Sequence, residues 1–155
     1  MEIRPGEGIG PFRFGLTEPD LVRALGPPDK RYRTDSGVER LQYFGQRVEF
    51  AIEPENGDRF GWVEVRDPAA TLFGRTVVGE TAAEVVPRVS EALGEEPERE
   101  DLGSLETYFF PRGWVELQVR FGRVEAVNFG VRYNEADEPQ WPGAEPEVAR
   151  DRPRD

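Results

Sequence analysis

One stretch constrains the rest of the chain: residues 8–28, Gly8-Ile9-Gly10-Pro11-Phe12-Arg13-Phe14-Gly15-Leu16-Thr17-Glu18-Pro19-Asp20-Leu21-Val22-Arg23-Ala24-Leu25-Gly26-Pro27-Pro28, which carries the marks of a strand, a capped helix and a stop. Thr17 stands where an N-cap hydroxyl accepts from a free amide of the first turn, and Asp20 completes a capping box. Pro19 falls in the first turn, where a missing N–H costs nothing. Leu21, Val22 and Leu25 form an apolar stripe, and Gly26 followed by Pro27 and Pro28 ends the helix. A degraded copy returns later: Gly79-Glu80-Thr81-Ala82-Ala83-Glu84-Val85-Val86, with Thr81 and Glu84 as cap and box partner and Ala92-Leu93-Gly94 as the stop. The second helix is longer by about one α-helical turn, which keeps its facing. Pro87 inside it predicts either a bend or a later start.

Strand patterns follow each helix. Residues 30–32 and 38–44 flank Asp35-Ser36-Gly37, a hairpin signal. Residues 47–53 alternate, with Val48, Phe50 and Ile52 on one face and Arg47, Glu49 and Ala51 on the other. Asn56-Gly57 then returns the chain as Phe60-Gly61-Trp62-Val63-Glu64-Val65. In the second half, residues 105–109 parallel 40–44, Val115-Glu116-Leu117 parallels Val48-Glu49-Phe50, and Phe121-Gly122-Arg123-Val124-Glu125-Ala126 parallels residues 60–65. Correspondences in the same order predict a tandem duplication. The expected organisation is a lead-in over 1–11, repeat 1 over 12–66, repeat 2 over 67–133, and an acidic, proline-rich tail over 134–155 with Trp141 as a staple. The expected fold class is α+β: two tandem helix-plus-antiparallel-meander repeats, the helices packed on one face of an antiparallel sheet.

Composition narrows the chemistry. The 155 residues include no cysteine and no histidine. Disulfides, thiolate nucleophiles, the usual neutral-pH general base and the commonest metal ligand are therefore all missing. A net charge of −11 repels nucleic-acid backbones and anionic membranes and attracts a basic partner. Met1-Glu2-Ile3-Arg4-Pro5 has no apolar signal-like region, and no later run is apolar enough to span a bilayer, so the sequence reads as cytoplasmic. Gly6, Gly8 and Gly10 lack the preceding strand and following helix of a phosphate-binding loop. The acidic loop Glu95-Glu96-Pro97-Glu98-Arg99-Glu100-Asp101 lacks EF-hand spacing, and neither a metal nor another cofactor is expected.

The pattern from Gly15 to Pro28, Gly-x-Thr followed by a spaced apolar pair and Leu-Gly-x-Pro ahead of a β-meander, resembles the repeat unit of the BamE/SmpA and β-lactamase-inhibitor-protein (BLIP) superfamily. The second copy makes it more similar to the inhibitor. The resemblance implies an antiparallel sheet with helices on one face and the other face free to bind a protein.

If Val48, Phe50, Ile52, Val63, Val65, Val115, Leu117 and Val119 face the helices, alternation assigns the open face to Glu49, Phe60, Trp62, Glu64, Trp114, Glu116, Gln118, Arg120 and Glu125. Tryptophans among carboxylates and an arginine make a protein-binding composition. The same charges would also solvate an exposed sheet, each cross-strand pair contributing only ~0.2–1 kcal/mol. The expected function is a non-enzymatic binding module: an intracellular inhibitor or immunity protein that blocks a basic bacterial toxin or enzyme through this face. The alternatives are a scaffold or small-ligand or peptide-binding protein, and a carboxylate-based hydrolase using Glu49, Glu64, Glu116 or Glu125.

Overall fold

The computed structural model describes residues 1–143. The chain opens with three short strands, β1 (Glu2–Arg4), β2 (Gly8–Ile9) and β3 (Phe12–Arg13), followed by helix α1 (Glu18–Leu25). An antiparallel run comes next: β4 (Lys30–Arg33), β5 (Glu39–Tyr43), β6 (Val48–Glu53) and, after a 3-10 turn over Pro54–Asn56, β7 (Arg59–Val65). The short hairpin β8 (Thr71–Leu72) and β9 (Arg75–Thr76) leads to helix α2 (Ala82–Leu93). A second antiparallel run closes the fold: β10 (Glu98–Asp101), β11 (Leu105–Phe110), β12 (Val115–Arg120) and β13 (Arg123–Gly130).

These strands make two sheets. The larger has eight strands in the order β10-β11-β12-β13-β7-β6-β5-β4, antiparallel throughout. The smaller has the order β3-β2-β1-β8-β9, with β1 and β8 paired in parallel. One continuous core lies against the large sheet. Leu41, Phe50, Val63, Val65, Leu117, Val127 and Phe129 come from the sheet, and Ile3, Ile9, Phe12, Leu21, Leu72, Val85 and Val89 from the elements that cover it. Phe12 meets Phe50 edge-on at 5.8 Å, and Phe14 meets Phe60 and Phe129 at 4.9 and 5.6 Å.

The expected α+β architecture of two helix-plus-meander repeats, with helices covering the sheet, is corrected by this arrangement. Strand accounts for 43% of the described residues and helix for 16%. The reason is one of size. Eight strands at ~4.8 Å spacing are roughly 34 Å wide, whereas the 8 residues of α1 and 12 of α2 are about 12 and 18 Å long at ~1.5 Å per residue. Two such helices bury little, Leu21 from α1 and Val85, Val89 and Ser90 from α2, and the small sheet completes the covering layer. The two halves join in one sheet, where β7 and β13 are hydrogen-bonded neighbours. The lead-in is corrected too: Ile3 and Ile9, 1% and 0% exposed, belong to β1 and β2 and to the core.

Local details differ as well. Thr17 and Asp20 form the full capping box on α1, Asp20 Oδ2 accepting from the Thr17 amide at 3.0 Å. Thr81 occupies the N-cap position of α2, but its side chain makes no capping bond, so the expected box with Glu84 is missing. Helix α2 begins at Ala82, as the cap position predicts, and runs through Pro87. The sequence match of residues 60–65 with 121–126 is out of register. Phe60 lies inside β7 and is buried, while Phe121 sits in the turn before β13 and is 90% exposed. Arg59 bridges Thr17 just as Arg123 bridges Thr81, so Phe60 corresponds in backbone contacts to Val124. Of the expected tail, residues 144–155 lie outside the described residues. Trp141 is partly buried against the core, with the Arg59 guanidinium 5.7 Å from its ring centre.

Candidate functional site: the open face of the large sheet

Alternation sends every second residue of the central strands away from the core. Register then lines these residues up across the sheet. Gln42 pairs with Glu49, Glu49 with Glu64, Glu64 with Asn128, and Asn128 with Glu116, a polar row crossing five strands. One step along the strands the next row runs from Ala51 through Trp62 to Gly130. The Gly130 amide donates to the Trp114 carbonyl at 3.3 Å, which extends that row to Trp114. Glu64, Asn128 and Glu116 therefore lie beside Trp62, Gly130 and Trp114.

Glu49 opposite Glu64 is a like-charge pair, which by itself destabilises a sheet. Both carboxylates are neutralised, Glu49 by donors from β4 and β5 and Glu64 by an arginine just past the end of its own strand. Glu49 accepts from Tyr32 Oη at 2.8 Å, Arg40 Nη1 at 3.0 Å and Gln42 Nε2 at 2.6 Å. Glu64 accepts from Arg66 Nε at 2.5 Å. Glu125 accepts from Arg120 Nε at 2.7 Å and faces Arg66 Nη1 at 3.4 Å, and the Arg120 hydrogen bond holds its carboxyl below the usual glutamate range. Glu116 is different. Among the described residues it has no cationic partner, and burial, reinforced by the charges of Glu64 and Glu100, raises its pKa against a smaller opposing effect of a hydrogen bond from Gln118. Its cross-strand neighbour Asn128 is 4% exposed, and the amide Nδ2 has no hydrogen-bond partner.

The aromatic side chains beside this row form a cluster. Trp114 meets Trp62 at 6.5 Å, Phe109 at 5.2 Å and Tyr133 at 6.3 Å between ring centres, each pair edge to face. Trp62, Trp114 and Phe109 are partly exposed and Tyr133 is 39% exposed. Trp114 has a left-handed backbone, φ 59°, in the turn that enters β12. Gly130 lets the Trp62 indole lie flat on the sheet, because a Cβ there would collide with the indole ring. A groove of about 700 Å³, lined in part by Tyr32, Gln42, Phe44, Glu49, Glu64 and Arg66, continues the polar row toward the turn between β5 and β6. Among the described residues no three acidic side chains converge to hold a metal ion, and no helix is long and apolar enough to cross a membrane.

The structure brings Glu49, Trp62, Glu64, Trp114, Glu116, Gln118, Arg120 and Glu125 together on this face. Phe60 does not belong there. Ala51 pairs with Trp62 and Ile52 with Phe60, leaving Gly61 as the extra residue of a β-bulge. The bulge shifts the alternation by one and turns Phe60 into the core, where it is 0% exposed and packs edge-on against Phe50. Sequence reasoning missed Asn128, Phe109 and Tyr133. Residues 105–110, Leu-Glu-Thr-Tyr-Phe-Phe, do not alternate cleanly, so the facing of Phe109 comes only from its pairing with Glu116. Asn128 stands amid apolar residues in Val127-Asn128-Phe129, an isolated amide in a core strand. Tyr133 carried no local signal.

No protein-family model matches the sequence, and no curated protein does either. An extracellular protein containing an SCP domain from Bacillus anthracis str. Ames is similar in structure, with a TM-score of 0.50 and 12% sequence identity over 75% of this chain. The match spans 43% of that protein's length and shows likeness of fold alone. A DUF4309 family protein, YjgB, from Bacillus subtilis subsp. subtilis str. 168 gives a TM-score of 0.46 and 17% identity over 82% of this chain and 88% of its own.

Proposed function

We propose that the protein acts without catalysis, by binding a basic protein across the open face of its eight-stranded sheet, and that covering this partner's surface inhibits it in the manner of an immunity protein. The observation that carries the reading is the cluster of Trp62, Trp114, Phe109 and Tyr133, left partly exposed in an otherwise charged sheet face. Aromatic anchors supply most of the energy in protein interfaces, and a polar rim excludes water around them. Here the rim is formed by the pairs Arg40–Glu49, Arg66–Glu64 and Arg120–Glu125. The net charge of −11 favours a basic partner and speeds its capture.

Affinity capture from a lysate of the source organism, run at low and high salt with the native chain and with Trp62→Ala/Trp114→Ala, tests this reading. A basic protein retained in stoichiometric amount, released by salt and lost with a double variant that still folds, is the expected outcome. Equal retention by the double variant, or retention of nothing, contradicts it.

A further inference from the structure

Resting on the reading of this face as a docking surface, we propose that Glu116, Asn128 and the Trp62–Trp114 pair form a seat for one guanidinium group, an arginine side chain of the partner. Three observations converge on it. Three other carboxylates of the face already have an arginine: Glu49 has Arg40, Glu64 has Arg66 and Glu125 has Arg120, while Glu53 at the end of β6 accepts from the Asn56 amide instead. Glu116 has no cation among the described residues. Beside it, Asn128 is 96% buried with an amide nitrogen that has no acceptor, a state that folded proteins seldom leave without a partner. Two indoles lie one step along the strands, and their faces attract cations.

The complementary group carries positive charge, presents several N–H donors to one carboxylate and is flat enough to lie against an indole. A guanidinium has all three properties, whereas an ammonium has no planar face to stack. The chain bearing it also brings backbone carbonyls, and a turn of the Asn128 side chain, whose Nδ2 is enclosed in the free chain, lets one of them accept from it. The pairing that neutralises Glu49 and Glu64 from within the chain is completed at Glu116 from outside it.

The test is a titration of the full chain with the blocked amino acid N-acetyl-arginine amide, followed through the indole N–H signals of its tryptophans, with N-acetyl-citrulline amide as the uncharged isostere. Saturable shifts at Trp62 and Trp114, with Trp141 unmoved, and binding weakened about tenfold or more by citrulline or by Glu116→Gln, are expected for the loss of a charge-assisted pair. Glu91→Gln, on the exposed side of α2, leaves the titration unchanged. Equal binding of citrulline, an unaffected Glu116→Gln chain or no saturable shift overturns the proposal. Capture of the partner by Glu116→Gln at native strength, with capture still lost in Trp62→Ala/Trp114→Ala, overturns the guanidinium seat while leaving the docking face intact.

Discussion

At the scale of single residues, the site depends on what is missing. Gly130 has no side chain where the Trp62 indole needs room, with the Gly61 carbonyl 2.8 Å from the position a Cβ would take. Gly130→Ala is expected to lose about 1–3 kcal/mol of stability through overpacking, measured by denaturant unfolding, and to displace Trp62. Glu116 lacks a countercharge, and burial raises its pKa. An acid whose pKa is higher in the folded chain holds its proton more tightly there, so its contribution is harmless below the ordinary glutamate range. It turns unfavourable as pH rises from that value through the folded one. Glu116→Gln should therefore melt at a higher temperature than the native chain near pH 7 and at the same temperature below about pH 3.5. A lower melting point near neutrality would mean that the ionised carboxylate supports the fold. The face residues were legible from period-two alternation alone, as Glu49, Trp62 and Glu64 show. Phe60 was misplaced because one extra residue at Gly61 reverses facing, and the glycine inside the strand pattern was the only mark of that bulge. Asn128 left one sign, an amide between Val127 and Phe129, but its importance comes from its cross-strand neighbours, which a linear reading does not contain.

At the scale of elements, both helices start at a threonine but are held differently. The Thr17 cap on α1 is reciprocal, its hydroxyl accepting from the Asp20 amide while Asp20 accepts from the Thr17 amide. Thr81 contributes backbone only: its carbonyl accepts from Val85 and it bridges Arg123, with no side-chain cap. Thr17→Ala should thus cost about 1 kcal/mol, and Thr81→Ala far less, read from thermal or denaturant unfolding of each variant. Equal costs would contradict the difference in capping. The two helix starts were readable because capping is a local code of a few residues. The missing box at Thr81 was not, because the sequence contains the right residue types and only the geometry leaves the bond unmade.

At the scale of the whole molecule, the strands of the large sheet could be anticipated and the covering layer could not. Hairpins between β4 and β7 and between β10 and β13 connect neighbours in sequence, so turn signals and alternation reveal them. The small sheet joins residues 2–3 to residues 71–72 by a parallel pairing, and strands of two or three residues carry no periodicity to detect. That is why a segment resembling a lead-in supplies Ile3 and Ile9 to the core, and why a fold expected to be covered by helices is mostly strand. The consequence for function is a sheet with one buried face and one wet face that carries aromatic rings among charges. The most direct test of the docking role proposed for that face is oxidative footprinting of the chain with and without the protein that affinity capture retains. Protection of Trp62, Trp114, Phe109 and Tyr133, with Trp141 and the exposed turn residue Phe121 labelled equally in both states, is the predicted result. Protection confined to the turns or helices, with the four rings of the open face unchanged, would contradict it.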